Sequence, residues 1–265
     1  MQEYAKTDQT LHQLSQVLAK ANRTFVPKEE DDSHVNLYYD HLGSRILGRW
    51  INTSRGQIML GLNLSDYVFV WYDSSFKELK KYPISGRTTI EIEVEIEQDL
   101  SSLDLKKEGF RNELHFDIGI YPFKDNVFSV VDKSGLKSWM HYRNLANKAS
   151  LQILGTLQQS SEIRIWPHHF DTGVYALVPD KIGIGFGLAM EDMLAEAPYF
   201  YIVGYPNKGV LDYSETTALS LGKWITRESW QGAILPINEL DAMSSIEIDN
   251  SVDAFITETT CWFLK

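Results

Sequence analysis

Hydrophobic residues recur every three or four positions in three parts of the chain, which is the spacing of one buried face of an α-helix. The first run predicts an amphipathic helix over about residues 8–23, with Thr10 or Asp8 as its cap. The second predicts a long helix over residues 134–156. The third predicts a C-terminal helix that starts near residue 250.

Short runs of β-branched and aromatic residues lie between these helices, separated by Gly, Asn, Ser and Asp. This pattern is typical of antiparallel strands joined by tight turns. The predicted strands cover residues 34–40, 44–51, 56–64, 66–73, 76–84, 112–123, 162–178, 181–190, 197–206, 223–230 and 232–237.

Residues 88–105 fit two patterns. Their isoleucine and valine residues alternate with glutamates from Ile90 to Ile96, as in a half-exposed strand. Ile92, Ile96 and Leu100 also lie on one helical stripe. The alternation favours a strand over the first ten residues.

The order of these elements predicts an α+β protein, with a mainly antiparallel β-sheet and an N-terminal, a central and a C-terminal helix packed on it. We expect residues 1–265 to form a single domain, and an alternative is two similar halves that meet near the helix at 134–156. The pattern His-Phe-Asp-x-Gly-x-Tyr occurs at 115–121 and again at 169–175, which raises the question of an internal repeat.

Composition narrows the class of protein. Hydrophobic residues make up 43% of the chain, which is enough for a packed core, and the net charge is −11. Such a charge repels phosphate backbones and anionic lipids, so nucleic-acid and membrane partners are not expected. The chain has one cysteine, no apolar run of 18 residues and no N-terminal signal pattern, so the expected location is the cytoplasm.

The segment "WPHHFD" concentrates the candidate chemistry of the chain. On a regular strand His169 and Asp171 share one face, and His168 points to the other. Pro167 has no N–H group, so it would mark a strand start, an edge or a bulge. His115 and Asp117 also share a face, and two His-x-Asp pairs would meet if these strands were neighbours.

Three interpretations of these residues stay open. His169, Asp171, His115 and Asp117 could ligate a metal such as zinc, iron or manganese. His168, His169 and Asp171 could instead perform acid–base chemistry or bind a small-molecule ligand. Alternatively, the network is structural and only stabilises the sheet.

Glu228 is a further candidate acid, because aromatic residues of the late strands could line a pocket there. No nucleotide-binding glycine motif is present, so the sequence indicates no cofactor. The leading hypothesis is a small-molecule-binding protein or enzyme with a His/Asp pocket. The rival is a non-catalytic structural or interaction protein. Neither hypothesis specifies an oligomeric state.

The chain resembles a family of uncharacterised bacterial proteins that share a Trp-Pro-His-His-Phe-Asp motif. The resemblance rests on residues 11–27 with 34–39, on the motif at 166–171, and on the closing strands at 197–206 and 230–240. It implies a helix at residues 88–105 and a candidate site at the motif, but no reaction. Residues 104–114 depart from the family pattern, so the resemblance does not extend to His115.

Overall fold

The computed structural model describes residues 2–129 and 132–265. The described chain contains α-helices and two antiparallel β-sheets, which confirms the predicted α+β class. The contacts divide it into two units. The N-terminal unit comprises Gln2–Met140 and Ile165–Phe170, and the C-terminal unit comprises His141–Arg164 and Asp171–Lys265.

The N-terminal unit is built from a long helix, a six-stranded sheet and a second helix. The sheet has the order β1-β2-β4-β5-β6, and β3 pairs with β4. Helix α1 packs against β4 and α2. The elements are α1 (Gln2–Phe25), β1 (Tyr38–Asp40), β2 (Arg45–Leu47), β3 (Ile51–Thr53), β4 (Gly56–Asn63), β5 (Val68–Asp73), β6 (Glu78–Pro83) and α2 (Thr89–Asp99).

The C-terminal half of the chain repeats this plan. Helix α3 (Lys133–Leu157) comes first and the second sheet follows, with the order β11-β12-β10-β9-β8-β7. Helix α4 packs against β10 and β12. The elements are β7 (Arg164–Trp166), β8 (Asp171–Val178), β9 (Ile182–Ala189), β10 (Tyr199–Pro206), β11 (Lys223–Arg227), β12 (Trp230–Pro236) and α4 (Ser245–Phe263).

The predicted helix starts are wrong at both ends of the chain. Helix α1 already includes Gln2, so Asp8 and Thr10 lie inside it. The Asp8 side chain is buried there and accepts a hydrogen bond from Trp139 Nε1 at 2.7 Å. Helix α4 is capped by Ser244 and begins at Ser245, five residues before the start that the apolar pattern predicted. In both cases the helix extends beyond the apolar stripe that revealed it.

The predicted strand at the start of residues 88–105 is wrong, because the segment forms α2. Thr88 caps the helix by accepting from the Glu91 backbone N–H, and the Glu91 carboxylate accepts from the Thr88 N–H in return. Ile92 and Ile96 are fully buried on one side of the helix. This is the helix that the family resemblance implied for the segment.

The strand predicted at residues 112–123 is also wrong, since this described segment contains only bends, turns and irregular chain. The two His-Phe-Asp segments are therefore not neighbouring strands. None of the helices in the described part of the chain has the length and hydropathy needed to cross a membrane.

A glycine-rich strand lies at the centre of the second sheet. Tyr201 pairs with Gly187 across β9 and β10, and Tyr175 of β8 lies over Gly183. A Cβ at Gly187 would lie 2.9 Å from the Tyr201 hydroxyl, and one at Gly183 would lie 2.1 Å from that of Tyr175. These glycines leave room for tyrosine rings to lie flat on the sheet.

Candidate functional site

The segment after β7 is a tight turn, not a continuous strand. The Trp166 carbonyl accepts from the N–H groups of His169, at 3.2 Å, and Phe170, at 2.6 Å. Phe170 adopts the left-handed conformation with φ of 57°. The predicted alternation of faces from His168 to Asp171 is therefore wrong, and Pro167 marks this turn rather than a bulge. We call residues 166–170 the motif turn.

Two side chains of α1 hold the motif turn at the Pro167 carbonyl. His12 Nε2 lies 2.9 Å from the Pro167 oxygen, and Gln16 Nε2 donates to the same oxygen at 2.8 Å. A carbonyl can only accept, so His12 Nε2 carries a proton. His12 Nδ1 lies 2.6 Å from the Tyr121 hydroxyl, which donates to it when the imidazole is neutral. Burial raises the pKa of that hydroxyl well above its usual value.

Phe170 anchors the other end of the motif turn in the core of the N-terminal unit. Its ring is fully buried and stacks on His12 at 5.1 Å between ring centres, and on Trp139 at 6.1 Å. Tyr39 meets Trp139 edge-on at 5.3 Å. Pro167 and Phe170 are thus structural, and no local sequence pattern pointed to their partner His12.

The two adjacent histidines of the motif turn have different environments. His168 is half-buried, and its ring centre lies 5.5 Å from that of Phe116. His169 is exposed, with its ring centre 4.3 Å from that of His168. His168 lines a cavity that His169 does not reach.

That cavity has a volume of about 320 Å³ and lies within the N-terminal unit. We call it the histidine cleft. It brings His168 together with His115, the histidine of the first His-Phe-Asp segment. Its lining residues are Asp31, Asp32, Val35, Asn36, His115, Phe116, Trp166 and His168.

An imidazole–carboxylate pair forms part of the wall. His115 Nε2 lies 3.2 Å from Asp32 Oδ2, and each of these side chains is 44% exposed. Behind them lies His34, whose Nδ1 accepts from the Glu29 backbone N–H at 3.3 Å. Burial lowers the pKa of His34, and His115 adds to this effect while Asp32 opposes it. Sequence reasoning identified His115 but did not identify Asp32 or His34.

Asn36 lies beside the histidine cleft, and its side-chain amide nitrogen is enclosed by protein atoms. The residue is 2% exposed, and its side-chain Nδ2 has no hydrogen-bond partner among the described residues. Its backbone is satisfied, because the N–H donates to the Ser33 carbonyl and the carbonyl accepts from Asn22 Nδ2. The unpaired amide nitrogen is therefore a donor without an acceptor, which is unusual for a buried group.

Asp171 belongs to the C-terminal unit, where β8 holds it. The Tyr201 hydroxyl donates to Asp171 Oδ2 at 2.5 Å across the glycine of β9. Burial raises the pKa of Tyr201 well above its usual value, and the Asp171 charge adds to this effect. The contact joins two strands of one sheet, which is a structural use of the carboxylate.

Arg143, on α3, was missed by the sequence reasoning. Its side chain is fully buried in the C-terminal unit, and Nη1 donates to Thr172 Oγ1 at 2.7 Å. A buried guanidinium is expensive to desolvate and is retained only where hydrogen bonds satisfy it. Its position in a helix of ordinary composition carried no local signal.

Glu228 lies on the exposed turn between β11 and β12. It lines a separate open groove of about 610 Å³ in the C-terminal unit, with Tyr205, Tyr213 and Trp230 among the other lining residues. This groove contains aromatic side chains, as the sequence suggested, but His168 and His169 do not line it.

No group of three or more His, Cys, Asp or Glu residues within the described chain is arranged to hold a metal ion. Of the proposed ligands, His115 lines the histidine cleft, whereas Asp117 and His169 are exposed and Asp171 bonds to Tyr201.

Comparisons with known proteins assign no function to the chain, so any assignment depends on the geometry described above. The chain matches no protein-family model, no curated protein and no solved structure.

Proposed function

We propose that the protein is a cytoplasmic small-molecule-binding protein and that the histidine cleft is its ligand site. The observation that carries the proposal is the convergence of His168, His115 and Asp32, which lie far apart in the chain, on one cavity with aromatic wall.

The composition of the cleft supports this function. A volume of about 320 Å³ falls at the small end of the range of ligand pockets. Phe116 and Trp166 supply apolar wall, and polar groups of Asn36, His115 and His168 surround the same space. A few polar groups on an apolar wall are the usual composition of a small-molecule site.

The His115–Asp32 pair also gives the cleft a proton acceptor. When His115 is neutral and donates from Nε2 to the carboxylate, its Nδ1 is an acceptor. Donation from Nε2 to the carboxylate fixes this tautomer of the neutral ring. The cleft therefore has the groups that general-base chemistry requires, and binding can be tested without assuming a reaction.

The test is a fragment screen by NMR on protein with labelled histidine rings. We expect fragments to shift the His168 and His115 signals, and the His168→Ala variant to bind them about tenfold more weakly, equivalent to ~1.4 kcal/mol. His169→Ala is the matched control, because the neighbouring ring is exposed and does not line the cleft. Equal weakening in both variants, or no shift at either ring, would refute the proposal.

A second candidate function, a purely structural motif, is favoured by a different observation. His12 and Gln16 bind the Pro167 carbonyl, and Phe170 is buried in the core. These contacts explain Pro167 and Phe170 without any ligand, and they do not involve the His115–Asp32 pair of the histidine cleft. We also propose that the chain belongs to the family with the Trp-Pro-His-His-Phe-Asp motif, on the basis of residues 166–171.

A further inference from the structure

We infer that a second site, between β10 and β12 of the C-terminal unit, binds a neutral sugar ring. The site is the open groove of about 610 Å³ that Glu228 lines, and we call it the strand groove. It belongs to a different unit from the histidine cleft, so the inference does not depend on the proposed function. The pairing of the strands, the aromatic rings and the charge of the walls each support it.

The strand groove lies where two neighbouring strands part. The ladder between β10 and β12 ends at the pair Ile202 and Ala233. Both strands extend past this pair, because β10 continues to Pro206 and β12 already begins at Trp230. Residues of both extensions line the groove, which therefore occupies the place where the ladder would have continued.

The groove reaches into the gap between the two extensions. Successive residues of a strand point to opposite faces of the sheet. Gly204 faces helix α4, since a Cβ there would lie 2.5 Å from the Phe263 ring, and Tyr205 points to the other face. Both Gly204 and Tyr205 line the groove, so a ligand in it would contact the edge of β10 as well as its side chains.

The edge of β10 suits a compact ligand better than an extended peptide. The Ile237 N–H donates to the Pro198 carbonyl at 2.9 Å, and such positions alternate along an antiparallel strand. Beyond the end of the ladder, Gly204 and Pro206 therefore direct their backbone groups toward the gap. Pro206 has no N–H group, so a peptide strand added here cannot continue the ladder past Gly204.

Aromatic rings supply the apolar part of the wall. Tyr205, Tyr213 and Trp230 all line the strand groove. The Tyr205 side chain is 53% exposed and lies against Gly185 of β9, where a Cβ would be 3.4 Å from the ring. Its other face is open surface. The C–H groups on one face of a pyranose ring pack on such a surface through apolar contact and weak hydrogen bonds.

The polar groups of the groove match hydroxyls. Gln231 and Ser229 provide both donors and acceptors, and every sugar hydroxyl also donates and accepts. Glu228 is the only charged residue among the described lining residues. Its carboxylate accepts strong hydrogen bonds from hydroxyls and repels anions, and no lysine or arginine of the lining offsets it. The groove therefore favours a neutral sugar over a sugar acid or a sugar phosphate.

Matched probes separate these requirements. Methyl glucoside, methyl galactoside and methyl mannoside present the neutral ring with three arrangements of hydroxyls. Tetrahydropyran-2-methanol keeps the ring and lacks the ring hydroxyls, and the corresponding methyl uronosides add a carboxylate. In NMR titrations that follow the backbone amides of Gly204 and Gln231, we expect at least one methyl glycoside to bind about fivefold more tightly than its uronoside or tetrahydropyran-2-methanol. An acetylated and amidated Val-Thr-Val-Thr peptide should not bind.

Two variants assign these preferences to residues. Tyr205→Ala should weaken the tightest glycoside at least about fivefold. Tyr175→Ala is the matched control, because this neighbouring ring is 48% exposed and does not line the groove. Glu228→Gln should narrow the preference for that glycoside over its uronoside. Since Glu228 lies on an exposed turn, this variant tests the inference even if Tyr205→Ala does not fold.

Several results would overturn the inference. Among them are equal weakening by Tyr205→Ala and Tyr175→Ala, and glycosides that bind no more tightly than tetrahydropyran-2-methanol. Tighter binding of the peptide, or no shift at Gly204 and Gln231 with any of the three glycosides, would do the same. None of these results affects the histidine cleft, whose own test follows the His168 and His115 rings.

Discussion

The two units of the molecule share one structural feature. In each, an antiparallel sheet is followed by a helix that begins with a reciprocal capping pair. The pair is Thr88 with Glu91 in the N-terminal unit and Ser244 with Glu247 in the C-terminal unit. Both helices then bury apolar side chains within their own unit, among them Ile92 and Phe255.

The units differ in where their polar side chains lie. In the C-terminal unit Asp171 sits in a strand and bonds to Tyr201 of the same sheet. In the N-terminal unit His168, His115 and Asp32 lie on irregular chain and line a cleft. In this sheet the polar side chains of two strands bond to each other, whereas the polar side chains on turns line a cleft that a ligand could enter. The Trp-Pro-His-His-Phe-Asp motif contains both situations within six residues.

The largest effect is expected at Phe170, the buried anchor of the motif turn. Phe170→Ala removes a ring that stacks on His12 and Trp139, so we expect the free energy of unfolding to fall by about 3–5 kcal/mol. Urea denaturation measures this change. His169→Ala, one residue away and exposed, should change stability by no more than about 0.5 kcal/mol.

Equal losses in these two variants would contradict the division of the motif turn into a buried anchor and an exposed neighbour. A small loss for Phe170→Ala would show that the core of the N-terminal unit tolerates removal of the ring.

Asp171 and Tyr201 give the corresponding prediction for the C-terminal unit. Tyr201→Phe removes only the hydroxyl that donates to the carboxylate, so we expect a loss of about 1.5–3 kcal/mol, the usual value for a hydrogen bond to a charged group. The matched control is Tyr205→Phe on the same strand, where the side chain is 53% exposed. Indistinguishable denaturation curves for the two variants would show that the Asp171 contact does not stabilise the sheet.

The sequence predicted the regular elements better than the site, for a physical reason. The helical stripes of α1, α3 and α4 and most strands follow from local periodicity. Residues 88–105 were misassigned because isoleucine and glutamate alternate there, although Thr88 and Glu91 already carried the spacing of a capping box. A capping signature should therefore outweigh a short alternation.

The site depends on contacts between residues far apart in the chain. His12 reaches Pro167, 155 residues away, and no local pattern marks such a pair. The pairing of His115 with Asp32 is equally invisible in sequence, because the two residues lie far apart in the chain. Histidine and aspartate were identified from their chemistry, and only the fold could show that His168 lines the cleft and His169 does not.

Removing the N-cap side chains of α2 and α4 tests whether the two capping pairs stabilise the protein equally. Thr88→Ala and Ser244→Ala each remove the side-chain acceptor for one helical N–H group, so each should lower the free energy of unfolding by about 1 kcal/mol. Ser85→Ala in the exposed turn before α2 is the control and should be nearly neutral. A loss confined to one unit would show that the second cap is dispensable there.

The smallest effect is a dependence on pH, expected mainly from the N-terminal unit. Six of the seven histidines lie in that unit, namely His12, His34, His41, His115, His168 and His169. Among them His34 is buried, and burial lowers its pKa in the folded protein. Asp32 and Glu29 oppose that shift, whereas His115 and Lys28 add to it.

The sign of the dependence follows from the lowered pKa of His34. In the unfolded chain the His34 imidazole becomes protonated below pH ~6.5, whereas in the folded chain it stays neutral to a lower pH. The unfolded state then holds more protons, so the free energy of unfolding falls as the pH drops below ~6.5 and is fully retained above it. His34→Asn keeps an acceptor for the Glu29 N–H and cannot titrate, so its urea midpoint should change less between pH 7.5 and pH 5.5. If the urea midpoint of this variant shifts with pH as much as that of the unmodified chain, the pH dependence does not come from His34.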